Sequence, residues 1–124
     1  MTLSNAGATV VVADDDALIR MVMRRALSLR GLLVVEAVDG TSAVDATTRH
    51  RPDLLITDAH MPGLSVLETL SAVDQLEDSP AILVISGDSR SPVAPDVAFL
   101  AKPIELDRFL DTVDTLLSRR AAAG

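Results

Sequence analysis

The residues of this sequence whose types could carry chemistry are carboxylates, one hydroxyl and one lysine, each at the end of a short apolar run. Asp14, Asp15 and Asp16 follow residues 10–13, Asp58 follows 54–57, Ser86 follows 81–85 and Lys102 follows 97–101. Taken singly, a carboxylate in such a place is most often a solvated loop residue or a helix cap. Gathered at one edge they would repel, each pair about 4 Å apart by roughly 4 kcal/mol at an effective dielectric of about 20. Something positive must then compensate. A hard divalent cation bound by oxygen alone, through one or two carboxylates and waters with room for a phosphate oxygen, is the pattern of Mg²⁺, with Mn²⁺ as the alternative. Lys102 would supply the second positive charge. The chain has no Cys, and His50 and His60 are not spaced as a ligand pair, which argues against zinc.

A carboxylate can attack phosphorus and form an aspartyl phosphate when a metal and a cation disperse charge on the transferring group. Asp58 is the candidate nucleophile, because its run lies between the one that ends in Asp14 and Asp15 and those that end in Ser86 and Lys102. Ser86 and the backbone amides of Ala59 and Gly87 could donate to the phosphoryl oxygens. Asp16 reads as a bystander that favours the positive end of the first helix. Arg24, Arg25, Arg119 and Arg120 read as solvated helix faces.

These residues need a scaffold that brings separate strand ends together. The runs 10–13, 33–38, 54–57, 81–85 and 97–101 are short, apolar and rich in β-branched residues, as strands are. Helical patterns lie between them. Leu18, Met21, Val22, Leu27 and Leu29 form one, and Leu67, Leu70, Val73 and Leu76 another. Leu106, Phe109, Leu110, Val113, Leu116 and Leu117 form the last and clearest stripe. Gly31 reads as a helix stop, and Ser65 with Glu68 as a capping box. Alternating strands and helices with continuously apolar strands predict an α/β fold: a parallel sheet covered on both faces, linked by right-handed crossovers. Ligands of such sheets collect outside the carboxyl ends of the strands, where the polar residues fall.

With 124 residues, the chain predicts one domain over 9–120, a flexible segment over 1–8 and a small-residue tail over 121–124. Hydrophobic residues make up 48% and aromatics 2%, so the core must be aliphatic. A net charge of −7 opposes direct nucleic-acid binding, which depends on neutralising phosphates. No apolar run approaches the 18 or so residues of a membrane span, and the start lacks the pattern of a signal peptide. The expectation is a soluble, cytoplasmic protein without membrane contact; the absence of Cys fits that compartment.

The segments VVVADDDALIR, LLITDAHMPG, ILVISGDS and FLAKP, in this order, resemble the receiver domains of two-component response regulators. The resemblance covers about residues 9–120. It implies a three-layer flavodoxin-like fold with a five-stranded sheet in the order 2-1-3-4-5. It implies that Asp14 and Asp15 hold Mg²⁺ with Asp58 and the backbone carbonyl of His60, and that Asp58 is the phosphorylated residue. It implies that Lys102 pairs with the phosphate and that Ser86 and Phe99 form a hydroxyl and aromatic switch. The partners implied are a histidine kinase or histidine phosphotransfer protein and a downstream effector. Catalysis would be limited to the domain's own phosphorylation and slow dephosphorylation, so it is a signalling domain rather than an enzyme.

Two features depart from the family. Ser65 and Val66 stand where Asp-Gly is common, which predicts a different turn. The stretch GDSRSPVAPD, residues 87–96, is short for a crossover and holds Pro92 and Pro95, so at most a turn of helix is expected and the family's fourth helix is short or missing. A phosphorylation-independent adaptor with the same fold is the competing function. A small-molecule phosphatase would need a D-x-D nucleophile motif and a cap, and an electron carrier would need a phosphate loop where the three aspartates stand.

Overall fold

The computed structural model describes residues 5–87 and 97–123. The chain alternates strand and helix: β1 (Thr9–Ala13), α1 (Ala17–Ser28), β2 (Leu33–Ala37), α2 (Gly40–His50), β3 (Leu54–Asp58), α3 (Val66–Asp74), β4 (Ala81–Ser86), β5 (Ala98–Ala101) and α4 (Leu106–Ala123). All strand pairs are parallel and the sheet order is β2-β1-β3-β4-β5, as the resemblance implied. The central strands β1 and β3 are buried on both faces. Their near-continuous Val, Leu and Ile content follows from that double burial.

Alternation along the strands divides the core. Val10, Val12, Leu54, Ile56, Leu83 and Ile85 face Met23 and Leu27 of α1 and Phe109, Val113 and Leu117 of α4. Val11, Ala13 and Leu55 face Ala43 and Ala46 of α2 and Val73 of α3. The residues that α2 buries are all small: Gly40, Ala43, Ala46 and Thr47.

The first helix corrects the sequence reading. Of Leu18, Met21, Val22, Leu27 and Leu29, only Leu27 is buried, and the others are exposed. The core face is instead Ile19, Met23 and Leu27, one turn apart on a different side of the same helix. Both stripes have helical spacing, so periodicity found the helix but not its inward face. Leu67 of α3 is exposed for the same reason.

Helix ends are set by side chains. The Asp16 carboxylate accepts from the amides of Leu18 and Ile19, Asp39 caps α2, and Ser65 and Glu68 form the expected capping box on α3. Gly31 takes φ +79 after α1. Gly63, at φ +86, supplies the left-handed position of the β3–α3 turn, so Val66 is free to begin the helix. Just before β1, the Gly7 amide donates to the Gly31 carbonyl at 2.8 Å. At the other end α4 runs on to Ala123 through the alanines expected to be tail, as befits the best helix former.

Among the described residues no helix separates β4 from β5, and residues 88–96, where at most a helical turn was expected, lie outside the described residues. No described helix is long and apolar enough to cross a membrane.

Candidate functional site at the carboxyl edge of the sheet

The ends of β1, β3, β4 and β5 converge as the sheet geometry requires. Val12, Ile56, Ile85 and Leu100 all belong to the core face under α1 and α4. Asp14, Asp58 and Lys102 each lie two residues beyond one of these on its strand line, so the same alternation turns them to that side of the edge. Carboxylate oxygens of Asp14, Asp15 and Asp58 fall within 4.8 Å of one another. Asp14 is fully buried, Asp58 nearly so, and Asp15 is exposed at the mouth.

The Lys102 ammonium stands between the two buried carboxylates, 3.1 Å from Asp14 Oδ2 and 3.3 Å from Asp58 Oδ2. Only the Asp58 contact is aligned as a hydrogen bond, so Asp14 Oδ2 remains a buried oxygen without one. Burial pushes the Asp14 carboxyl above its ordinary pKa, against the opposing pull of the Asp16 amide and Lys102. Burial alone would lower Lys102, but Asp14 and Asp58 outweigh it and hold the ammonium above its usual value. A buried carboxylate oxygen lacking an aligned donor, beside two further oxygen donors, fits a hard divalent cation.

Asp14 is fixed on every other side. Its amide donates to the Ala37 carbonyl at 3.2 Å, and its Oδ1 accepts from the Asp16 amide at 2.9 Å. Its carbonyl accepts from Arg20 Nη1 at 2.6 Å. Arg20 Nε in turn donates to Glu36 Oε1 at 3.1 Å, and Arg24 holds the other Glu36 oxygen at 2.7 Å. Neither Arg20 nor Glu36 was singled out from the sequence. Nothing in their spacing links them to Asp14, because the link depends on β1 and β2 pairing with Val12 opposite Glu36.

One expected donor is placed differently. The Ala59 amide donates to the Ile85 carbonyl at 2.8 Å, continuing the β3–β4 ladder, and is therefore committed to the sheet. The amide that faces the carboxylate is that of His60, 3.3 Å from Asp58 Oδ1. The His60 side chain is exposed. Ser86 is buried at the end of β4, and its carbonyl accepts from the Lys102 amide at 2.8 Å. Gly87 follows in the open, where an added Cβ would meet nothing within 4 Å. Phe99, half-buried on β5, pairs with Val84 while Ala101 pairs with Ser86, so Phe99 and Ser86 lie on the same face of adjacent strands. The Lys102–Pro103 peptide is cis.

The geometry has clear relatives. Residues 10–114 match the family model of the response regulator receiver domain. The transcriptional regulatory protein PrrA of Mycobacterium tuberculosis is 33% identical over 123 residues, covering 93% of this chain and 52% of its own. The response regulator MprA of Mycobacterium leprae is 35% identical over 118 residues, with 89% and 51% covered. The chain thus spans about half the length of the curated relatives it matches. Among solved structures, the receiver domain of the putative response regulator NarL from M. tuberculosis superposes with a TM-score of 0.79 at 31% identity, over 91% of this chain and 98% of that one. The chemotaxis protein CheY4 of Vibrio cholerae gives 0.81 at 27% identity, over 90% and 99%. By fold, by an acidic pocket at the sheet edge and by these matches, the chain belongs to the response regulator receiver domains of two-component signalling.

Proposed function

We propose that this domain takes a phosphoryl group onto Asp58 from the phosphohistidine of a histidine kinase or histidine phosphotransfer protein in the cytoplasm. An oxygen of the Asp58 carboxylate attacks phosphorus, the N–P bond breaks, and its electron pair returns to the donor imidazole. Water later attacks the same phosphorus and releases inorganic phosphate and the free carboxylate. The observation that carries this reading is Lys102, held by ion pairs to Asp14 and Asp58 and therefore ready to receive a phosphoryl oxygen.

Asp14, Asp15, Asp58 and the His60 carbonyl are the groups proposed to hold Mg²⁺. Charge dispersal on the transferring phosphoryl group is what that ion supplies when bound. Lys102 shares that work, and the His60 amide replaces Ala59 as a proposed oxygen donor beside Ser86 and Gly87. The shared face of Ser86 and Phe99 supports a switch in which the hydroxyl turns toward the phosphate and the ring takes the vacated space. A downstream effector would read that change. One mycobacterial relative, PrrA, is named a transcriptional regulatory protein; in a chain with a net charge of −7, DNA contact would fall to a separate segment.

The test is intact mass after incubation with acetyl phosphate or phosphoramidate and Mg²⁺. One phosphoryl group should be added to the wild type and none to Asp58→Asn. No addition to the wild type, or undiminished addition to the variant, overturns the reading.

A further inference from the structure

We infer that Arg20 is a positioning residue for the cation site, holding the Asp14–Asp15 turn from behind so that its carboxylates converge on Asp58. The inference rests on the reading of Asp14, Asp15 and Asp58 as a Mg²⁺ site.

Arg20 comes from the first turns of α1 and its side chain is only 15% exposed. Its guanidinium makes two directed contacts with different elements: Nη1 to the Asp14 carbonyl just past β1, and Nε to the Glu36 carboxylate on β2. Only a planar fork with several donors can span both acceptors, and a lysine ammonium cannot. Glu36 is itself held by Arg24, and the hydrogen bond from Arg24 is the largest cause of its lowered pKa, with Arg20 adding to it. The chain of contacts therefore runs Arg24, Glu36, Arg20, Asp14. Its last member is a backbone carbonyl, so Arg20 leaves the Asp14 carboxylate unused. Mutual repulsion would drive Asp14, Asp15 and Asp58 apart, and a loop without this anchor would relax toward solvent. Groups that orient a metal's ligands in this way typically change affinity about tenfold or more when removed.

The sign of the effect separates this role from simple electrostatics. Arg20 is a cation near a cation site, so removing its charge alone would tighten Mg²⁺ binding. Loss of the anchor weakens it. Titration calorimetry with Mg²⁺ on the full chain at neutral pH should find binding by the wild type and about tenfold weaker binding by Arg20→Ala. Arg20→Lys, which keeps the charge without the fork, should be weakened similarly. Glu36→Gln should weaken binding when Arg20 is present and add little in the Arg20→Lys background, because Glu36 acts through Arg20. If Arg20→Ala does not fold, the lysine variant carries the comparison.

Unchanged or tighter Mg²⁺ binding in the Arg20 variants overturns the inference, as does full rescue by lysine. Equal Glu36→Gln effects in both backgrounds also overturn it, since they would show a long-range field. Failure of the wild type to bind Mg²⁺ removes the metal reading itself, and this inference falls with it. A fall in melting temperature with affinity intact would mark Arg20 as purely structural and would equally overturn it.

Discussion

Lys102 Nζ lies 3.3 Å from Asp58 Oδ2 while also touching Asp14, so one ammonium serves two carboxylates that would otherwise repel across the pocket. It occupies, in charge if not in position, the role of a bound cation. Lys102→Met should therefore tighten Mg²⁺ binding several-fold while slowing phosphorylation of Asp58. The same variant should unfold more easily without metal, by about 1–3 kcal/mol, as one partner of a mostly buried ion pair is lost. Denaturant midpoints with and without Mg²⁺ check both statements, and the metal should narrow the gap.

Ionising Asp14 carries a cost to the fold. Its pKa is raised by burial, so between the unfolded and folded values the native state binds the extra proton. Stability thus falls as pH rises through that window, and the penalty persists at neutral pH. Asp14→Asn keeps the Oδ1 that accepts from Asp16 and removes the charge. It should stabilise the metal-free protein by about 1 kcal/mol, or roughly 4 °C in Tm, and abolish the rise in Tm that Mg²⁺ gives the wild type.

Glu36 behaves in the opposite sense. Arg24, then Arg20, holds its carboxyl below the ordinary value, so its contribution is complete above the unfolded pKa of about 4.3 and is lost as pH falls through the folded one. Asp39 and Glu68, held low by their capping partners, act in the same direction. Glu36→Gln should flatten the acid limb of a plot of urea midpoint against pH, leaving a shallower slope from the two caps.

Away from the site, Gly40 opens α2 against the turn that precedes α3. A Cβ there would lie 2.6 Å from the Leu64 carbonyl oxygen and 2.8 Å from Thr69 Oγ1. Gly40→Ala should cost about 2 kcal/mol, because backbone rather than a flexible side-chain end must yield. The Thr69 hydroxyl is buried without a hydrogen bond, so the near-isosteric Thr69→Val should be neutral or stabilising. Thermal unfolding should therefore show a lower midpoint for Gly40→Ala and an unchanged or higher one for Thr69→Val.

The sequence by itself determined the order of elements, the parallel sheet and the residues at four strand ends, because strand runs and their polar terminators are local in the chain. It also determined the Ser65 cap, which needs only a hydroxyl and a carboxylate three residues apart. Only the tertiary structure decided which stripe of α1 faces inward, since two stripes share one period and the neighbouring sheet and α4 select between them. The same holds for Ala59 and His60, whose amides differ in partner only because β3 continues its ladder with β4. Arg20 and Glu36 were invisible for a related reason: their part in the site rests on a cross-strand register and a backbone carbonyl, and a carbonyl leaves no mark in residue type. Side-chain chemistry is written along the chain, whereas the anchoring of that chemistry depends on contacts between segments that come together only when the sheet forms.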